Sequence, residues 1–168
     1  MQINGAHWHL LLNHFPIILS ITGTGLLVLS FFIRSGGFRN AALFIMIIAG
    51  LFAIPAYNTG ESAEEVVEQS PVTSEQYLEQ HEEIASTALL TILIAAAVAL
   101  IAMAVNQWQN KWATGMLVIA VIASAVSTGF LVYTGLTGGK IMHAEIRNEA
   151  VTPNSPVDLP AAGETDDD

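Results

Sequence analysis

The sequence predicts an all-α integral membrane protein, a four-helix up-down bundle with both termini on the outer side. Three observations predict it. The 168-residue chain is 52% hydrophobic and only 12% charged, a composition outside the ordinary soluble range. Four apolar windows, residues 10–33, 41–57, 84–105 and 113–137, contain no Asp, Glu, Lys or Arg. The charges between and beyond those windows are sorted by sign.

A membrane helix needs about 20 apolar residues to cross about 30 Å of hydrocarbon. The windows hold 24, 17, 22 and 25 residues, so only the second must extend into its polar flanks. The first window begins inside HWHLLLNHFPI, residues 7–17. Its Pro16 lacks an N–H and clashes with the carbonyl of Leu12, which predicts a kinked helix starting near His7 rather than a helix starting at the proline. A cleavable leader is not expected: MQINGAHWH has no basic n-region, and the first apolar run is too long for an h-region.

After the second window, Ser62 and Glu65 in TGESAEEVVEQSP form a capping box and predict a short outer helix over 63–69. Ser70–Pro71 ends it. Thr73 or Ser74 can then cap a helix that runs through SEQYLEQHEE into the third span and carries His81 beyond the membrane. The fourth window runs into TGLTGG, whose closing pair Gly138–Gly139 is expected to break or bend the helix before KIMHAEIRNEA resumes a helical pattern. Residues 1–150 thus form the bundle with its outer extensions. Residues 151–168, with three prolines and a terminal run of acids, are expected to be a disordered tail. No internal repeat is obvious beyond a loose symmetry of two helix pairs.

Orientation follows from the links. RSGGFRN carries Arg34 and Arg39, and NQWQNKW carries Lys111, so both links are assigned to the cytoplasm. The outer side then holds fifteen acids against Lys140 and Arg147, a charge of −13, and the inner side three bases and no acid, +3. All five histidines, His7, His9, His14, His81 and His143, belong to the outer end. Trp8 on one side, with Trp108 and Trp112 on the other, fits aromatic belts at the two interfaces. This places the protein in the bacterial inner membrane.

The histidines are the main chemical signal. There is no cysteine, which excludes disulfides, thiolate metal sites, iron–sulfur clusters and covalently attached haem. In a bundle the outer ends of four helices meet, so His14, His81 and His143 can converge. His7 shares a helical face with His14 two turns away, whereas His9 projects elsewhere and is expected to be interfacial. Haem b needs one or two imidazoles, an apolar slot and donors for its propionates. His7 or His14 with His81 or His143 would supply the first, and Lys140 and Arg147 the last. Below His81 the positions Ala85, Ala88, Ile92, Ala95, Ala99 and Ala102 are almost all small, which suits close helix packing and also a flat macrocycle. An alternative mononuclear or dinuclear metal site would draw on His14, His81, His143, Glu61 and Glu82, with Glu83 and Glu145 nearby. The inner half has no histidine, so haem chemistry would be confined to the outer half.

The segments HLLLNHFPI, TGESAEEVVE, QHEEIA and TGGKIMHAEI resemble a family of small, uncharacterised four-helix bacterial membrane proteins that open with a His, a short apolar run and HFP. That family is loosely similar to membrane b-type cytochromes. The resemblance spans roughly residues 7–147 and implies His7, His14, His81 and His143 as candidate haem or metal ligands.

The reading that follows is a membrane-anchored electron-transfer subunit binding b-type haem at its outer end, rather than a stand-alone enzyme. Its partners would be the lipid bilayer and a basic soluble redox protein such as a c-type cytochrome, steered by the acidic face. The competing readings are a cofactor-free accessory subunit of a larger respiratory or photosynthetic membrane complex, and a His/Glu metal-binding protein. Hydrolase chemistry has no motif here, since GxSxG, HExxH and a phosphate-binding glycine loop are all missing. The acidic exposed face argues against nucleic acid.

Overall fold

A computed structural model describes residues 5–33, 35–71, 73–108 and 111–147. The acidic tail assigned to 151–168 lies outside them. The described residues are helical, with no strand: α1 Gly5–Leu12, α2 His14–Leu29, α3 Gly36–Asn58, α4 Gly60–Val67, α5 Glu75–Gln107 and α6 Ala113–Met142, followed by a 3-10 turn at Ala144–Ile146. Four helical stretches, α1 with α2, α3 with α4, α5 and α6, are long and apolar enough to cross a membrane, and the chain is a multi-pass membrane protein. Large apolar side chains such as Leu10, Ile18, Phe32, Leu90, Leu100 and Ile122 point outward all round the bundle, as contact with lipid requires and contact with water would not tolerate.

The break in the first span falls at Asn13, three residues before Pro16. The missing N–H of Pro16 leaves the Leu12 carbonyl without its donor, and the helix restarts at His14. Stacking of Phe15 on Phe52, 4.9 Å between ring centroids, then holds α2 against α3. Ser35 caps α3 by accepting from the Phe38 N–H at 3.3 Å, which satisfies one of the donors orphaned at a helix start.

The core is made of small residues. On α5, Ala88, Ile92, Ala95, Ala99 and Ala102 are all buried. Gly50 of α3 lies so close to α5 that an added Cβ would stand 2.7 Å from the Cβ of Ala96. The alanine stripe therefore serves helix packing, and α3 and α6 fill the space beside it. Buried hydroxyls are satisfied locally or across helices: Ser124 and Ser127 donate to carbonyls one turn back, and Thr24 of α2 meets Thr128 of α6 at 3.0 Å. At the far end from the histidines, Asn106 of α5 donates to Asn40 of α3 at 2.7 Å.

Three sequence expectations are corrected. The short helix after the second span begins at Gly60, not 63, with Thr59 rather than Ser62 at its N-cap. The reason is continuity: α4 follows α3 after one residue, and Thr59 bonds back to the Pro55 and Ala56 carbonyls. The glycines of TGLTGG neither break nor bend α6 out of helix, which runs on to Met142. These three helical glycines, Gly135, Gly138 and Gly139, cost about 3 kcal/mol relative to alanine, and packing of α5 on this segment offsets that cost. The pattern after Lys140 shortens to a single 3-10 turn.

At 33 residues α5 is about 50 Å long, well beyond the hydrocarbon thickness. Its polar start, Glu75–Glu83, stands above the charge-free window and carries His81. Ser74 occupies its N-cap, as the sequence allowed.

Candidate functional site

Two histidines are held in the same way at one end of the bundle, and they are His9 and His81. Each docks on a Thr-Gly pair that ends a neighbouring span. The Nδ1 of His9 is 2.9 Å from the Ala56 carbonyl and 3.4 Å from Thr59 Oγ1. The Nδ1 of His81 is 3.0 Å from the Thr134 carbonyl and 3.4 Å from Thr137 Oγ1. In both cases the threonine hydroxyl donates its own proton to backbone carbonyls three and four residues back: Thr59 to Ala56 and Pro55, Thr137 to Thr134 and Tyr133. With that proton spent, the imidazole Nδ1 must be the donor. The neutral ring is thereby fixed as the Nδ1–H tautomer, and Nε2 keeps its lone pair.

The glycine after each threonine makes room for the ring. A Cβ on Gly60 would lie 3.7 Å from His9 Cε1, an ordinary contact, but one on Gly138 would lie 2.9 Å from His81 Cε1 and 3.1 Å from its Nδ1. His81 thus needs glycine at 138. Both rings lie just above the charge-free windows of the first and third spans. One turn along from His9, Asn13 presents a buried side-chain carbonyl with no hydrogen-bond partner. Such an orphaned acceptor is rare enough to mark a place where a donor belongs.

The other candidates are distributed differently. His7 is exposed on α1. His14 is exposed on the lipid side, its Nδ1 3.3 Å from the Leu10 carbonyl, beside a shallow apolar hollow formed with Phe15, Ile18 and Leu19. His143 is exposed and pairs with Glu145 at 2.8 Å. A hydrogen bond from its own backbone N–H and then His143 hold the Glu145 carboxyl below the usual range. Lys140 and Arg147 both lie against the Tyr77 ring, 5.3 and 5.9 Å from its centroid. Arg147 also donates to the Lys140 carbonyl at 2.6 Å and to that of Ile141. These two cations clamp the end of α6 onto the start of α5, and Ser74 N–H adds a bond to the Ile141 carbonyl at 3.2 Å.

Glu61 is exposed on α4. Glu82 shares a hydrogen bond with Glu64 across α4 and α5; that bond, then burial and mutual repulsion, raises the Glu64 carboxyl above its ordinary value. Among the described residues no three His, Asp or Glu side chains converge as a metal-ion cage. His14, His81, His143, Glu61 and Glu82 are therefore not brought to one point.

His9 is the residue that sequence reasoning set aside. The helical wheel separates it from His7 and His14 correctly, but that is the reason it faces the interior while they face out. The visible signal was the Thr-Gly pair closing both the second and the fourth span. No family model matches this chain, and no curated protein or solved structure matches it, so its site is read from its own residues.

Proposed function

We propose that the chain is a membrane-anchored electron-transfer subunit that binds b-type haem at the histidine end, where His9 and His81 are the residues that would hold it. One observation carries this reading: both rings donate Nδ1–H to a backbone carbonyl and keep Nε2 for a ligand, the arrangement by which proteins orient metal-ligating histidines and raise their basicity. The tight alanine packing below Ala88 favours a haem seated above the spans, at the mouth, rather than between them. Haem there would supply one-electron chemistry, while the chain's part is to hold two neutral imidazoles and limit water.

The charge pattern orients the molecule in this reading. Arg34, Arg39 and Lys111 face the cytoplasm of a bacterial inner membrane, with both termini and the histidine end outside, in an up-down bundle. The outer face, at −13, would steer a basic soluble redox partner in a salt-dependent way.

The test is an optical spectrum of the purified full-length protein, oxidised and reduced, after reconstitution with haemin. A low-spin bis-imidazole spectrum is expected, lost in His9→Ala and in His81→Ala and retained in His7→Ala, His14→Ala and His143→Ala. A protein with no Soret band under these conditions would instead be a cofactor-free accessory subunit of a larger membrane complex, a reading favoured by the closed small-residue core.

A further inference from the structure

The two histidine cradles match residue for residue, and the match extends through the whole bundle. Adding 72 to a position in α1 or α2 gives a position in α5, and adding 78 to one in α3 or α4 gives one in or just after α6. Under the first shift His9 falls on His81. Under the second, Thr59 and Gly60 fall on Thr137 and Gly138.

The buried faces follow. Pro16, Ser20, Gly23, Leu27 and Ser30 fall on Ala88, Ile92, Ala95, Ala99 and Ala102, so five buried positions map onto five buried positions. In the second helices Ala42, Met46, Ala49 and Ala53 fall on Ala120, Ser124, Ser127 and Leu131, again buried onto buried. Spacings of three and four are common to most packed helices, so this agreement alone would only set a register. Contacts between elements go further.

The crossing of α2 with α6 has Thr24 against Thr128, and the shifts carry that pair onto Ala96 and Gly50, which are also in close contact between α5 and α3. At the histidine end Gly5 lies against Ser62, and the shifts carry that pair onto Tyr77 and Lys140, which are also in contact. Three independent pairs of contacts are thus exchanged into one another, as a two-fold rotation would do.

We infer that the chain consists of two copies of one helix pair related by a pseudo-two-fold axis along the bundle, and that His9 and His81, one residue in two copies, hold a single metal centre on that axis, one imidazole from each copy. The ligand chemistry is a metal with two open positions for imidazole nitrogen, as a free transition-metal ion or as iron in a macrocycle. Parallel repeats of this kind place their sites at the repeat interface, and here the two copies differ almost everywhere in sequence yet retain His, Thr and Gly at the mouth. The orphaned Asn13 carbonyl lies one turn from His9, at the same end. The inference rests on the paired-imidazole reading of the proposed function but not on haem.

The experiment uses the full chain in nanodiscs with the exposed histidines removed together (His7→Ala, His14→Ala, His143→Ala) and Cu(II) alone as probe. Equilibrium dialysis counts the metal, and electron paramagnetic resonance counts the imidazole nitrogens bound to it. One copper per chain carrying two imidazole nitrogens is expected, with affinity falling at least tenfold, and to the same extent, in His9→Gln and in His81→Gln. Two coppers per chain with one imidazole each, one copper unaffected by either substitution, or no bound copper would each overturn the shared site. Stoichiometry in the parent background decides this even where a glutamine variant fails to fold. Haemin titrated in parallel separates the two readings: copper bound by both histidines without a Soret band retires the haem proposal alone. A Soret band indifferent to His9→Gln retires both the shared site and the pairing of His9 with haem.

Discussion

His81 occupies the space that a side chain at position 138 would take: a Cβ on Gly138 would stand 2.9 Å from the imidazole Cε1, while the same ring donates to the Thr134 carbonyl at 3.0 Å. Ring and glycine are therefore one unit. Gly138→Ala must push the ring off its carbonyl, at a cost of about 1–3 kcal/mol for an overpacked contact. Gly60→Ala, where the equivalent contact to His9 is 3.7 Å, is the matched control. Thermal unfolding in detergent should show a lowered midpoint for the first variant and little change for the second, and equal behaviour of the two would contradict the difference in clearance.

The half-buried hydroxyl pair Thr24–Thr128 joins α2 to α6. Thr128→Val keeps the shape and removes the bond, so a loss of about 0.5–1.5 kcal/mol is expected, the net worth of a typical hydrogen bond in folded proteins and membrane bundles alike. A denaturant titration comparing Thr24→Val, Thr128→Val and the double variant should show the double no worse than the worse single. Additive losses would mean the two hydroxyls act separately.

Gly50 marks a tight crossing of α3 with α5. With 2.7 Å between its would-be Cβ and that of Ala96, Gly50→Val must separate α3 from α5 along their length. The expected result is loss of the folded monomer on size-exclusion chromatography, partly restored by Ala96→Gly. A well-folded Gly50→Val protein with unchanged stability would show that the crossing can slide.

Glu64 and Glu82 share a hydrogen bond that raises the Glu64 carboxyl. A carboxyl with a raised folded value contributes stability below its unfolded value, near 4.5, and that contribution is lost as pH rises through the higher folded value. The contact between α4 and α5 should therefore be firmest in mild acid and loosen toward neutrality. Hydrogen exchange over residues 60–67 at pH 4 and pH 7 tests the sign, and Glu64→Gln should make the protection independent of pH. Protection that instead grows toward neutrality would refute the paired carboxyls.

Much of the architecture was legible in the sequence because a bilayer makes hydrophobic length decisive. Four charge-free windows predicted four membrane-crossing stretches, and Pro16 predicted the interruption in the first, since a missing N–H acts on the chain locally whatever surrounds it. Ser74 stands at the N-cap of α5 as its residue type suggests, although its side chain makes no capping hydrogen bond. Thr59, by contrast, displaced Ser62 as the start of α4 because the preceding helix already presented carbonyls for its hydroxyl to bond.

The histidines divide along the same line. Their gathering toward one end followed from sequence order alone, since each stands at the margin of an apolar window. Which of them meet depended on rotation of helices about their own axes, and rotation is decided by packing. Packing of α1 on α3 and α4 turns His9 inward, and packing of α5 on α6 does the same for His81, while His14 and His143 are left outside. TGLTGG shows the physical reason most directly: glycine's local preference is to end a helix, but a ring from another helix fills the space a side chain would occupy, and α6 continues through it. Composition and length determined that this chain crosses a membrane; only the contacts between its helices decided which imidazoles share the mouth of the bundle.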